Sequence, residues 1–204
     1  MDQNRIITKN LQGNHIYLVP MDRNHLEGLY KVCQHTTIWG HLPKEILTKD
    51  GMKQFIEEAL LQKEKGYEFP FVIILAGTKE IVGTTRLMNI SKENKNLEIG
   101  WTWLTPEVWG TKVNIECKYL LLKLCFESLD LYRVQFKTDE RNVRSQRAIE
   151  KIGGKKEGVL RNHMIRKDGS LRNSVFYSII NGEWSSIKKQ LENLLEQENS
   201  KLYR

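Results

Sequence analysis

The chain has 204 residues, of which 40% are hydrophobic and 28% charged. This is an ordinary globular composition at a length that can bury a full core. No apolar run reaches the roughly 18–20 residues of a membrane helix. The opening Met1-Asp2-Gln3-Asn4-Arg5 lacks the basic patch and apolar stretch of a secretory signal. The expectation is therefore a cytoplasmic protein with no membrane partner. Thirty-two Lys and Arg against twenty-five Asp and Glu leave a formal charge of +7. That excess suits a plain solvated surface, or attraction to a phosphorylated cofactor, an acidic protein surface or nucleic acid. Cys33, Cys117 and Cys125 are odd in number and not closely paired, which argues against a disulfide framework and a CxxC metal site. The five histidines show no HxxxH or HExxH spacing, so no metal is expected.

Taken in chain order, an opening strand is predicted near Asn14–Val19, where Ile16 and Leu18 alternate with Tyr17 and Val19. Asp22 caps a helix that carries Leu26, Leu29, Tyr30 and Cys33 at helical spacing. After a connection around Trp39–Pro43, Thr48 or Asp50 starts a second helix, which Gly66 ends. The period then changes. Phe69–Ala76, Ile81–Ile90 and Leu97–Leu104 read as three strands joined by the polar turns Gly77–Glu80 and Ser91–Asn96, an antiparallel meander. Ile115–Leu129 reads as a long apolar helix, Arg133–Thr138 as a strand and Asn142–Ile152 as a helix stopped by Gly153-Gly154. That order implies a right-handed crossover between parallel neighbours. Two last strands, Lys156–Ile165 and Leu171–Asn181, flank the turn Lys167–Ser170, and a final helix from about Glu183 shows Ile187, Leu191, Leu194 and Leu195 on one face. The fold class is α+β: a mixed, mainly antiparallel sheet with one parallel splice and helices on both faces. A single domain over 1–184 is expected, with 185–204 as a C-terminal helix and tail docked on it.

Two segments carry chemistry. In Leu97–Glu116 a strand ends, a polar loop follows and a helix begins, so free backbone N–H groups face outward at a helix N-terminus, a setting suited to a phosphate. An ordinary strand-to-helix connection would look the same. In Arg133–Gly154, Asn142 serves equally as a helix cap. Ser145 lies on the same helix edge. Arg141, Arg144 and Arg147 repeat at helical spacing, either as solvated charge or as a phosphate-facing stripe.

Together these segments resemble the GNAT superfamily of N-acetyltransferases, and within it the ribosomal-protein N-terminal acetyltransferases of the RimJ/RimL type. The likeness runs through Glu98-Ile99-Gly100-Trp101, Trp109–Glu116, Asn142–Ser145 with Lys151-Ile152-Gly153, Glu157–Arg161, Asp168-Gly169 and Tyr177, over about residues 14–184. It implies acetyl-CoA as co-substrate. Trp103, Trp109, Gly110, Thr111, Lys112, Val113, Asn114, Asn142 and Ser145 would border that co-substrate. Trp39, His41 and Trp101 would border the amine acceptor. Two features depart from the family pattern: Trp109, Lys112 and Asn114 stand where the loop usually has Arg or Gln, Gly, and Gly or Ala, and Ile149 stands where many members carry a tyrosine acid.

The resemblance implies direct attack of the amine on the thioester. Glu98 is then the candidate base and Ser145 the candidate donor to the leaving thiolate. Backbone N–H groups near Ile99–Trp103 would polarise the carbonyl. A protein N-terminal α-amine is the favoured acceptor, because a pKa of ~8 leaves a usable neutral fraction where a lysine at ~10.4 does not. A small amine such as an antibiotic or polyamine is the alternative. An acyl-CoA-binding module with weak turnover, suggested by Lys112 and Ile149, is another. Nucleic acid is disfavoured because no binding motif accompanies the charge. A homodimer is compatible with the sequence and not required by it.

Overall fold

A computed structural model describes residues 9–197. Its sheet is built from β1 (Leu11–Gln12), β2 (Ile16–Pro20), β3 (Phe69–Leu75), β4 (Ile81–Ser91), β5 (Asn96–Leu104), β6 (Arg133–Asp139), β7 (Lys155–Ile165) and β8 (Leu171–Ile180). The strands lie in the order β1-β2-β3-β4-β5-β6-β8-β7, and every neighbouring pair is antiparallel except β5–β6. The meander, the parallel splice and the closing hairpin stand where the hydrophobic periods put them. The two-residue β1 is too short for a periodic signal and was not predicted.

Among the described residues five α-helices pack on the sheet: α1 (Leu26–Val32), α2 (Lys49–Glu64), α3 (Lys112–Lys123), α4 (Val143–Lys151) and α5 (Asn181–Glu196). Adjacent side chains of a strand point to opposite faces, and the two cores follow that rule. Phe71 and Ile73 join Leu97, Ile99, Val134 and Tyr177 under α3, α4 and α5, while Val72 joins Leu29, Met52, Phe55 and Ile56 under α1 and α2. The polar half of the second face, along β6 and β8, has no core residue from a helix upon it. That difference leaves room for a cleft.

The helix predicted to start at Ile115 begins at Lys112. Gly110 turns the chain with φ +78°, and the Thr111 hydroxyl accepts from the Val113 N–H, so Lys112, Val113 and Asn114 form the helix's first turn rather than a loop. Apolar periodicity misses a polar first turn. At its other end α3 runs into a single π turn, Leu124–Ser128, where the Leu129 N–H donates to the Leu124 carbonyl. On α5, Trp184, Ile187 and Leu191 are buried in the first core, and Tyr119 of α3 donates to Glu192 at 2.8 Å.

Candidate active site

The site begins with an irregularity in β5. Pairing with β4 runs Thr84↔Trp103 and then Arg86↔Gly100, so three steps of β5 oppose two of β4. The extra residue is Trp101, held at φ +48°. Such a bulge bends a strand and reverses its alternation. Leu97 and Ile99 accordingly face α3, whereas Trp103 faces α1 and α2, with its ring 5.4 Å from that of Trp39. Gly83 permits the close crossing of β4, because a Cβ there would lie 2.0 Å from the Trp103 carbonyl oxygen.

The bulge also parts β5 from β6. Their parallel register ends at Glu98↔Gln135, although β5 continues to Leu104 and β6 to Asp139. Beyond that point the backbone of β5 faces a wedge-shaped cleft of about 390 Å³, within the size range of ligand pockets. One end of the cleft reaches α3 and α4, and the other opens toward the connection between α1 and α2.

At the first end the cleft is lined by Trp109, Gly110 and Asn114 beside the α3 N-terminus and by Asn142, Arg144 and Ser145 beside that of α4. The Asn142 side-chain Oδ1 accepts from the Ser145 N–H at 3.0 Å, so its cap is made and both residues still face the cleft. The Arg144 guanidinium lies 3.5 Å from the Trp109 ring centroid, and burial lowers its pKa. Trp109 itself is anchored by its indole N–H on the Leu104 carbonyl at 2.8 Å. Three of the expected cofactor residues do not line the cleft: Thr111, Lys112 and Val113. Thr111 is spent on capping, and the Lys112 ammonium donates to the Leu195 carbonyl at 2.7 Å, near the C-terminus of α5. A cation there answers the orphan carbonyls of that helix end. The C-terminal helix therefore decides the direction of Lys112, and nothing local to the 109–114 segment signals it.

At the opposite end, Glu98 is almost fully buried and lines the cleft. Its carboxylate accepts from Asn89 Nδ2 at 3.1 Å and Gln135 Nε2 at 3.0 Å, and Lys137 Nζ stands 3.6 Å away. These donors fix its orientation. His41 and Trp101 line the same end, with Leu42 and Pro43. Trp39 does not. It is fully buried in the second core and donates its indole N–H to the Cys33 carbonyl at 2.8 Å. The expected acceptor contact at Trp39 is thus replaced by a packing role, since a 3₁₀ turn over Thr36–Trp39 rotates the ring inward. Trp103 lines the cleft, and its indole N–H has no partner among the described residues.

Several residues enter the site that the sequence reading did not single out. Lys118 is buried, faces the cleft and donates to the Thr102 hydroxyl at 2.5 Å, and burial lowers its pKa. Its position four residues after Asn114 and seven before Cys125 places it on the inward stripe of α3, a signal available from spacing alone. Lys137, Met164 and Arg172 also line the cleft. They come from β6, β7 and β8, and only strand pairing brings them together. Ile149 also lines the cleft as an apolar wall. Burial raises the thiol pKa of Cys117 and Cys125, which keeps both protonated, and neither lines the cleft. Among the described residues no group of three or more His, Cys, Asp and Glu is placed to hold a metal, and no helix is long and apolar enough to cross a membrane.

This geometry has counterparts in known proteins. The model of the acetyltransferase (GNAT) domain matches residues 15–155. The uncharacterized N-acetyltransferase p20 of Bacillus licheniformis is 31% identical over 134 residues, spanning 66% of this chain and 72% of its own. The crystal structure of a GCN5-related N-acetyltransferase from Brucella melitensis superposes with a TM-score of 0.86 at 23% identity, covering 94% of this chain and 87% of that one. Mycobacterium smegmatis RimJ, solved in complex with CoA-disulfide, superposes with a TM-score of 0.77 at 18% identity over 88% of each chain. At those identities the two structures share the fold. The matched domain covers most of the chain, including the cleft residues of β5, β6, α3 and α4, and the chain belongs to the GNAT family of N-acetyltransferases, enzymes that transfer an acetyl group from acetyl-CoA.

Proposed function

We propose that this enzyme acetylates the α-amine at the N-terminus of a polypeptide, in the cytoplasm, by direct attack on acetyl-CoA. The observation that carries the reading is the wedge between β5 and β6, with a helix N-terminus at one end and the buried Glu98 carboxylate at the other. The first turn of α3 presents unpaired backbone N–H groups next to Gly110 and Asn114, which suits the pyrophosphate of CoA. Trp103, Trp109, Asn142 and Ser145 flank the path from there to the middle of the wedge. An edge of β5 without strand partners supplies N–H groups toward the thioester carbonyl.

At the acceptor end Glu98 takes the proton as the amine nitrogen bonds to the carbonyl carbon. As the carbon–sulfur bond breaks, Ser145 donates its hydroxyl proton to the thiolate and regains one from water. Ile149 offers no acid, which leaves that step to Ser145. His41 and Trp101 border the acceptor. The α-amine is preferred over a lysine because its pKa of ~8 supplies neutral nucleophile near pH 7.

The test is steady-state turnover with N-terminal peptides, lysine side-chain analogues and polyamines, following free CoA. Glu98→Gln keeps the shape of the carboxylate and removes its basicity. With the preferred acceptor kcat should fall by ~10²–10⁴, with acetyl-CoA affinity by calorimetry little changed. Near-full kcat in that variant would assign proton removal to water, and preference for a polyamine would replace the peptide acceptor.

A further inference from the structure

One buried charged side chain in the cleft makes no hydrogen bond among the described residues. Arg172, on β8, is 7% exposed and lines the acceptor end together with Glu98, Lys137 and Met164. Its Nε is buried without a hydrogen bond, and the guanidinium donates to no described residue. The nearest carboxylate is Asp139, whose Oδ2 lies 3.8 Å from Arg172 Nε, beyond hydrogen-bonding distance. Asp139 is already engaged: Arg166 grips it through Nε at 2.7 Å and Nη2 at 2.9 Å, and the Arg141 N–H adds a third bond at 2.9 Å. Glu98 in turn has Lys137 beside it.

Strand alternation shows where Arg172 points. Val175, Tyr177 and Ile179 of β8 enter the core under α3 and α5, so Arg172 and Ser174 face the other side of the sheet. Gln135, Lys137 and Asp139 of β6 share that side, because Val134 and Phe136 enter the same core. This is the face on which Glu98 meets Gln135 and Lys137. A buried guanidinium without a hydrogen bond is costly, and proteins seldom keep one that has no ligand to meet. Arg166 and Arg172 share the single carboxylate of Asp139 while Lys137 stands against Glu98, which leaves one positive charge in excess at this end of the cleft.

We propose that Arg172 receives a carboxylate that the acceptor carries close to the amine being acetylated. The inference rests on the reading of this end as the acceptor side. For a polypeptide acceptor the carboxylate is an acidic side chain within the first residues. For a free amino acid it is the α-carboxylate. A planar guanidinium suits a carboxylate because its N–H groups bond both oxygens at once.

The experiment compares a tripeptide amide of serine, glutamate and alanine with its glutamine counterpart. Free glutamate is compared with its α-amide to separate the two sources. Each pair is measured as kcat/KM with acetyl-CoA and as calorimetric affinity for the enzyme saturated with desulfo-CoA, which needs no turnover. The wild type should favour the carboxylate-bearing member of one pair by about tenfold or more, the equivalent of ~1.4 kcal/mol, with the difference lying in KM and in binding. Arg172→Gln should bring that ratio to about one, and Arg172→Lys should keep part of it. Desulfo-CoA affinity and the thermal midpoint of each variant check that it folds. Equal members in both pairs, or a ratio that survives Arg172→Gln, overturns the proposal. Failure of the acetylation reading looks different: no acceptor is consumed, while the binding ratio still reports on Arg172.

Discussion

The residue that most repays attention is Lys118. Its amine is buried, and it donates to Thr102, whose hydroxyl lies 2.8 Å from that of Thr85. Burial lowers its pKa, and no carboxylate offsets the effect. The unfolded chain, with an ordinary lysine pKa of ~10.4, therefore binds more protons than the folded one between the lowered value and ~10.4. Stability gained from this group rises with pH across that interval and is lost as pH falls through the folded pKa. Lys118→Met removes the titration, so its thermal midpoint at about pH 7 should exceed that of the wild type. The advantage should shrink as pH climbs and disappear near ~10.4. Melting curves across that range decide it, and a gain independent of pH would mean that methionine simply packs better.

At the scale of elements, α3 organises more than its own face. Glu116 is buried and accepts from the backbone N–H groups of Asn14, His15 and Ile16 at 2.8, 2.7 and 2.8 Å, so one carboxylate fastens the start of β2. Gly13 makes the approach possible, since a Cβ there would lie 2.4 Å from the Glu116 carboxyl carbon. Glu116→Ala leaves three donors without their acceptor and should cost about 2–4 kcal/mol in chemical unfolding. Glu116→Gln retains one acceptor oxygen and should cost less. A loss under about 0.5 kcal/mol, as for an ordinary surface change, would show that water takes the place of the carboxylate. The sequence placed Glu116 within the strand–loop–helix segment without marking it for this work, because its partners lie about a hundred positions away.

For the whole molecule, the charge of +7 suits the ligand proposed for the cleft. The expected ligand is a polyanion, and Arg144 stands at the end of the cleft where its phosphates would enter. Acetyl-CoA affinity should fall as ionic strength rises from about 0.01 to about 0.15 M, where the Debye length shortens from ~30 to ~8 Å. Calorimetry at the two salt levels reads the change. Affinity that is indifferent to salt would assign binding to the helix N-termini and the apolar wall of the cleft rather than to the surface charge.

The sequence by itself determined the order and type of all the main elements, because each buries one face and so repeats at the period of its own geometry. It also marked Glu98, Gly110, Asn142 and Ser145, which stand beside local signals such as a strand end or a cap, and all four line the cleft. Only the tertiary structure decided that Trp39 packs inward, that Lys112 reaches the end of α5, and that Arg172 is left without a hydrogen bond near Glu98. Those outcomes depend on the bulge at Trp101, on the docking of α5 and on the pairing of β6 with β8. Periodicity records which side of an element is buried, and it carries no record of which distant element will cover it.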